Sequence, residues 1–507
     1  MRLPNLAIAA ILLVYGGLAS QYALRTPLWQ VPDEPAHYNY VAQVAGWRAG
    51  RSDKTGQSDQ YGPPELPIIA PGDWSADLLE RLKAAHFPKG VAMGSIQYED
   101  HQPPAYYVLA AVVYRLAGTD DDPTRRVHAI RLLGVLLGAV TVWLAWRIAS
   151  ELYADGPVAA GGGGGSGGSS NGRGGSSNGS GSGNGRRGTG GDPAVPLAAA
   201  AFVAFLPMHL AMNAAVNNDA LAYTVMAAVI WLALGRALGR RSQRAFMIAG
   251  GLLLGLAFLT KLSIYGALPV LLAAELAGWW RRGRFGALLA AGTALQTAAI
   301  GWVIGWPWFM RNAVLYGAGD WFGTHRHDQV VTGQPTTVDW VHQFGWQGFL
   351  ARMVRFTFES FWGVFGWLGV FLDERIYAAL AAASGLAALG LARHLWRLRR
   401  APGAAAADER LGLAVLAVPV LASVAGFVWW NLTFVQHQGR YLFPALVPLA
   451  IYFQLGVREV ARLLAGALGW REAGTRRLEW AAMGGFSAGL ALLAWISLTR
   501  YIVPGLS

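Results

Sequence analysis

The 507-residue chain contains no cysteine, so no disulfide staples an outer loop and no thiolate serves as nucleophile or metal ligand. Charge is scarce as well. Asp, Glu, Lys and Arg supply only 14% of residues, where soluble domains carry about 25%. A formal net charge of +12 would suggest nucleic acid in a soluble domain, but here the arginines fall at the ends of apolar runs, and no nucleic-acid partner is expected. A phosphate-binding loop is missing too. The glycine-rich stretch at 161–191 is followed by no GK[ST] and preceded by no strand. It reads as a flexible low-complexity insertion.

Long apolar runs are abundant. They recur with lengths of roughly 18 to 22 residues, each able to cross about 30 Å of hydrocarbon. They fall near 5–23, 129–150, 195–213, 219–236, 245–260, 263–279, 285–306, 376–395, 411–430, 441–457 and 479–498. The expected fold is therefore an all-α polytopic membrane protein with about eleven transmembrane helices. The first run resembles a signal peptide, yet the many later spans favour an uncleaved first helix.

Lys and Arg in the short connections orient the chain. With the N-terminus inside, the connections at 151–194, 236–244, 280–284, 393–410 and 457–478 hold twenty arginines. The short outer connections hold only Lys261 and Arg440. Two longer outer segments, 24–128 and 307–375, contain amphipathic, aromatic-rich pieces suited to helices lying along the membrane surface. Residues 1–457 form the expected transmembrane module, and 458–507 supply a cytoplasmic loop and the last transmembrane helix.

The distinctive polar motifs collect on the outer face. "VPDEPAHYNY" carries Asp33, Glu34 and His37; "YEDHQPPAYY" carries Glu99, Asp100 and His101; "VNNDALA" carries Asn218 and Asp219. Lys261 lies in "FLTKLS", Arg311 in "WPWFMRNAVLYG", and Gln438, Arg440 and Tyr441 in "QHQGRYLFP". Ionisable groups beside a membrane cost free energy, so their clustering marks a site. Simpler readings exist for several. Asp33 is placed to cap a helix beginning at Pro35, and Lys261 can snorkel to headgroups. On a helix, Glu34 and His37 share a face at i, i+3 and could hold a divalent metal jointly; no organic cofactor is indicated. Carboxylates facing fixed cations fit a transfer reaction with a lipid-linked phosphate as leaving group. A carboxylate takes the proton of an attacking hydroxyl, and cations offset charge on the departing phosphate.

At these residues the sequence resembles the GT-C superfamily of integral-membrane glycosyltransferases, which use polyprenyl-phosphate sugars. It looks most like the bacterial DUF2142 group, related to protein O-mannosyltransferases and aminoarabinose lipid A transferases. The ordered stretches "PDEPAHYNY", "QPPAYYVLAA", "LPMHLAMNAAVNNDALA", "GLLLGLAFLTKLS", "RNAVLYG", "SFWGVFGW" and "QGRYLFPAL" carry the likeness. The resemblance implies Asp33 as catalytic base and Asp100 as the second acidic position. It places Arg131, which opens the second span, against the donor phosphate. Lys261, Arg311 and Arg440 are expected as further phosphate contacts. Glu99, His101, Asn218, Asp219, Gln438 and Tyr441 are expected to bind substrate. In the mannosyltransferases a His directly precedes Pro-Pro, whereas here Gln102 intervenes after His101.

The resulting expectation is an inverting glycosyltransferase of the bacterial cytoplasmic membrane, working on the periplasmic or extracellular face. Its donor is a polyprenyl-phosphate sugar and its acceptor a glycan, glycolipid or protein. The alternative is a transporter or flippase of a lipid-linked or anionic substrate, which predicts binding groups near mid-membrane and broken helices in matched repeats.

Overall fold

The computed structural model describes residues 3–48, 60–61, 66–88, 91, 93–118, 122–153, 192–282 and 286–507. The glycine-rich insertion at 161–191 lies outside them. The described chain is almost wholly helical, with two minimal antiparallel ribbons, Trp47–Arg48 with Gln60–Tyr61 and Val364–Phe365 with Val370–Phe371.

The membrane-crossing helices are α1 (Leu3–Arg25), α5 (Thr124–Tyr153), α8 (Asp219–Ala237), α10 (Ala267–Arg282), α11 (Ala287–Tyr316), α14 (Glu374–Arg400), α15 (Ala404–Trp430), α16 (Leu446–Ala467) and α17 (Glu472–Ile496). Among the described residues these supply the nine spans long and apolar enough to cross, α10 counted together with the 3-10 turn before it as Leu262–Arg281 (20 residues). A tenth span is α6 (Ala194–Phe205) with α7 (Pro207–Asn213), bent by 61°. The bend follows from Pro207: a residue before proline is driven out of the helical region, and Leu206 has ψ 116. The expected span at 245–260 is α9 (Gln243–Phe258), a shorter apolar helix of 16 residues. The eleven sequence segments thus correspond to ten spans and one shorter apolar helix.

The bundle packs through small residues. On α9, Gly251 and Gly255 receive Ile300 and Ile304 of α11; in return, Gly301 and Gly305 of α11 receive Leu254 and Phe258. In lipid, where apolar burial gives little net drive, such close backbone approach is a main source of helix association.

The two long segments predicted to lie outside hold α2 (Glu34–Val44), α3 (Ala76–Ala84) and α4 (Ala105–Leu116), then α12 (Thr324–Val330) and α13 (Thr337–Trp362). On α4, Tyr106, Tyr107, Ala110 and Ala111 are buried while Val108, Val112 and Leu116 are exposed. One face packs on the bundle and the other is suited to lipid. α13 likewise exposes Phe344, Trp346, Leu350 and Val354. It is fastened to the 3-10 turn Gly439–Ala445 by Gly439, whose amide donates to Ser360 Oγ at 2.8 Å. A Cβ at 439 would collide with the α13 backbone at Thr357 and Phe361. Gly439→Ala is therefore expected to displace the neighbouring Arg440 and lower both thermal stability and function; unfolding and activity of the variant, measured side by side, check this.

At the opposite end, the arginines that look patternless in sequence face buried carboxylates. Glu275 binds Arg236 and Glu151 binds Arg240 and Arg241; Glu459 binds Arg393 and Arg397, and Glu479 binds Arg462. These carboxylates come from α5, α10, α16 and α17, so they tie distant helices together at their charged ends.

Candidate active site

The loop after α1 brings Asp33 to the start of α2 in the left-handed region, with φ 66. That backbone costs a non-glycine residue roughly 1–2 kcal/mol. Asp33 occupies the N-cap position without making a side-chain capping bond. Its carboxylate turns away from the helix instead. Oδ1 accepts the Tyr98 hydroxyl at 2.8 Å, and Oδ2 accepts Arg440 Nη2 at 3.2 Å. Arg440 is steadied by Gln438, whose side-chain oxygen accepts its Nε at 2.7 Å. Gln438 in turn donates to Gln436 at 2.7 Å.

Beside this pair lies a second one. Lys261, on the turn after α9, donates to Asp219 at the first position of α8, at 2.6 Å. The pairs are electrostatically continuous: Asp219 interacts with both Lys261 and Arg440. His37 interacts with Glu99, Lys261, Asp33 and Asp219. Tyr441 feels Arg440, Asp33, Asp219 and Glu99. Six residues singled out in the sequence, namely Asp33, His37, Glu99, Asp219, Lys261 and Arg440, therefore share one neighbourhood. Glu99 is only 9% exposed, and its Oε2 has no hydrogen-bond partner among the described residues.

Burial pushes the Asp33 carboxyl up, but the Arg440 guanidinium, helped by the Tyr98 hydroxyl, outweighs it and holds the pKa below the ordinary carboxylate value. His37 is pushed below the usual imidazole range, first by burial and then by Lys261, against the pull of Glu99 and Asp33. Its Nδ1 lies 2.8 Å from the Tyr107 hydroxyl, and Tyr107 stacks on Tyr40 with ring centroids 3.6 Å apart.

Flanking groups frame the centre. Asn218 donates to Gln102 Oε1 at 3.2 Å, and Tyr40 donates to the Gln102 carbonyl at 2.9 Å. His101 lies 3.2 Å from the Tyr98 carbonyl through Nδ1 and 3.3 Å from the Gln102 amide nitrogen through Nε2. Its ring sits 4.3 Å from that of His327, and burial followed by this neighbour drives its pKa well down. Asp100 and Arg311 group with Tyr40 and Tyr316, each of which feels both charges. Arg311 also clamps the outer segment through the carbonyls of Leu66 and Pro67 and lies over Trp308.

Arg131 and Glu34 are elsewhere in function. Arg131 is fully buried, as is Glu34. Its five N–H donors go to Glu34 Oε1 and Oε2 and to the carbonyls of Ala23, Thr26 and Pro27. None remains for a phosphate, so the expected donor contact is corrected to a rivet between α1, α2 and α5. Glu34 is equally saturated, accepting from the amides of Trp29 at 3.0 Å and Val216 at 3.1 Å as well. With Glu34 held by Arg131 and His37 turned to Tyr107, the expected joint metal pair does not form. Among the described residues no group of three or more His, Asp or Glu side chains is arranged to hold a metal.

Tyr98, Tyr107 and His327 escaped the sequence reading. The two tyrosines sit beside recognised motifs but look like members of the aromatic belt; His327 lies in the outer segment with no spacing signal. A cavity of about 520 Å³ opens at the start of α5, lined by Asp122, Thr124, Arg125, His128, Ala129 and Leu132. It contains none of the central residues.

A multi-pass helical membrane protein with an acid–cation cluster at one end of its bundle is the class these observations define. The chain belongs to the DUF2142 family of predicted membrane proteins, whose profile matches residues 193–449, just over half of its length. The family named by the ordered motifs is thus the family found. No curated protein sequence matches the chain. Among solved structures it is similar to ArnT from Cupriavidus metallidurans bound to undecaprenyl phosphate, with TM-score 0.43 and 17% identity over 99% of this chain and 73% of that one. It is also similar to the Archaeoglobus fulgidus oligosaccharyltransferase in complex with Zn and sulfate, with TM-score 0.45 and 14% identity over 93% and 53%. The same enzyme tethered to an acceptor peptide gives 0.46 and 12% over 98% and 54%. The chain spans about half the length of that oligosaccharyltransferase.

Proposed function

We propose that the protein is a membrane glycosyltransferase that moves a sugar from a polyprenyl-phosphate donor to a hydroxyl of a glycan, glycolipid or protein. The observation that carries this reading is the Asp33–Arg440 contact, 3.2 Å across 407 residues of sequence, lying next to the Asp219–Lys261 pair. It sets one partly exposed carboxylate against cations at the membrane end of the bundle, as displacement of a lipid phosphate requires.

In this reading Asp33 accepts the proton of the acceptor hydroxyl as its oxygen bonds to the anomeric carbon. The bond from that carbon to the phosphate oxygen breaks, and the electron pair leaves on the polyprenyl phosphate. Attack and departure on opposite faces invert the centre. Lys261 and Arg440 stabilise the negative charge that grows on the leaving phosphate. A cationic environment makes Asp33 a weak base, suited to a transition state in which carbon–oxygen cleavage runs ahead of proton transfer. Following the arginine distribution, the cluster faces outward, on the periplasmic or extracellular side.

Because Asp33 is held low, it stays ionised until pH falls through that lowered value. Its part in activity is therefore expected to persist down to about pH 4, the unperturbed carboxylate value, and to be lost only below it. Arg440→Gln removes the main lowering influence while burial remains, so the acid limb of the pH–rate profile should move upward. A limb unmoved in that variant would separate Asp33 from the reaction.

A transport reading draws on the bent α6–α7 pair, where His209 is fully buried on α7. Purified protein in liposomes distinguishes the two: transfer yields a new glycosidic bond and free polyprenyl phosphate, whereas a flippase only redistributes intact donor between leaflets.

A further inference from the structure

The other end of the bundle carries a cation that the glycosyl-transfer reading does not use. Arg458, on α16, is 6% exposed. Its Nε is buried with no hydrogen-bond partner among the described residues. The guanidinium rests 5.3 Å from the ring of Tyr153, the last residue of α5. Its charged surroundings are Arg462, Glu409 and Glu479, together with the Tyr153 phenol.

The two carboxylates already have partners. Glu409 accepts the Tyr153 hydroxyl at 2.9 Å and lies 3.1 Å from His394 Nε2. Glu479 accepts Arg462 Nε at 2.6 Å. Nearby Glu459 is shared by Arg393, Arg397 and Arg462. Each carboxylate of the cluster is thus bound directly by another residue, and the buried Arg458 Nε has no acceptor among the described residues. Among the described residues, Arg393, Arg397, Arg458 and Arg462 stand against Glu409, Glu459 and Glu479, which leaves one positive charge in excess.

We propose that Arg458, with Tyr153 and Arg462, forms a binding site for a phosphodiester monoanion at this end of the bundle. A single negative charge matches the excess. A guanidinium prefers oxyanions whose geometry meets its fork of donors. Basic pockets between transmembrane helices are common seats for anionic lipid headgroups. The lipid is held at the far end of α16 from Arg440, so its site is separate from the Asp33 cluster.

The test uses full-length protein in detergent, titrated with phosphatidylglycerol, with phosphatidylcholine, or with inorganic phosphate, while thermal unfolding is followed. Phosphatidylglycerol is expected to raise the Tm of wild type more than phosphatidylcholine does, and Arg458→Gln should abolish the difference. A rise with inorganic phosphate alone, also lost in the variant, would keep the anion site but assign it to a soluble ligand. An equal phosphatidylglycerol effect in wild type and variant would overturn the proposal. If Arg458→Gln fails to fold, wild type is irradiated with a headgroup-photoactivatable phosphatidylglycerol. Crosslinks concentrated on peptides containing Tyr153, His394 or Arg458 support the site, and crosslinks spread evenly over the surface overturn it. Neither readout depends on sugar transfer, so its failure is distinguishable from failure of the enzymatic reading.

Discussion

Asp33→Asn is expected to leave membrane insertion and thermal stability near wild type while transfer activity falls by roughly 10²–10⁴-fold, the usual contribution of a positioned general base. Asparagine keeps the shape and, like aspartate, is among the residues that best tolerate the left-handed backbone recorded at this position. Its amide oxygen still accepts one hydrogen bond, but it neither carries the charge that faces Arg440 nor takes a proton from a hydroxyl. The Asp33 side chain is 26% exposed, and Arg440, itself only 6% exposed, keeps the Asp219 carboxylate beside it when the charge at 33 is lost, so it is not stranded. Turnover, donor affinity and melting temperature measured on the same preparation separate the outcomes. A variant with wild-type turnover removes Asp33 from the chemistry; one that fails to fold shows that its role is structural.

The second large effect is on stability, and it comes from a residue that sequence places in the site. Arg131→Met should destabilise the protein by about 3–5 kcal/mol, because it leaves Glu34 buried and charged without its partner. Both side chains are fully buried, and their contact is bidentate at 2.7 and 2.6 Å. Changing both residues, as Glu34→Leu with Arg131→Met, removes the stranded charge and should recover part of the loss. Recovery stays incomplete since the amides of Trp29 and Val216 lose their acceptor. Thermal unfolding of the single and double variants checks this. If Arg131 instead contacted a donor phosphate, the single variant would melt normally and bind donor weakly.

The contrast between these residues shows what could be read in the sequence. Ionisable groups near a membrane are costly and few, so Asp33, Asp219, Lys261 and Arg440 stood out, and the positive-inside pattern sorted them to one side. Their pairing was not legible, because a sequence shows that a charge is present but not what it faces. Arg131 and Lys261 are both basic residues beside apolar runs; one is sealed against Glu34 and three carbonyls, the other pairs with Asp219 while 17% exposed. Glu34 and His37 have the spacing of a ligand pair, yet tertiary partners on α5 and α4 draw them apart. Pro207 carried the signal for the broken span, but the apolar run continues through it and masks the break. The buried carboxylates at the opposite end were hidden among arginines whose general role is orientation.

Glycosyl transfer by the proposed mechanism requires the acid–cation cluster at one end of the bundle to cleave a polyprenyl-phosphate sugar. The most direct measurement is incubation of reconstituted wild-type protein with a panel of undecaprenyl-phosphate sugars, quantifying release of undecaprenyl phosphate alongside Asp33→Asn. Release from at least one donor is expected with wild type, and none above background with the variant. Release from no donor in folded protein that has been offered hydroxyl acceptors, or equal release by both proteins, would contradict that mechanism.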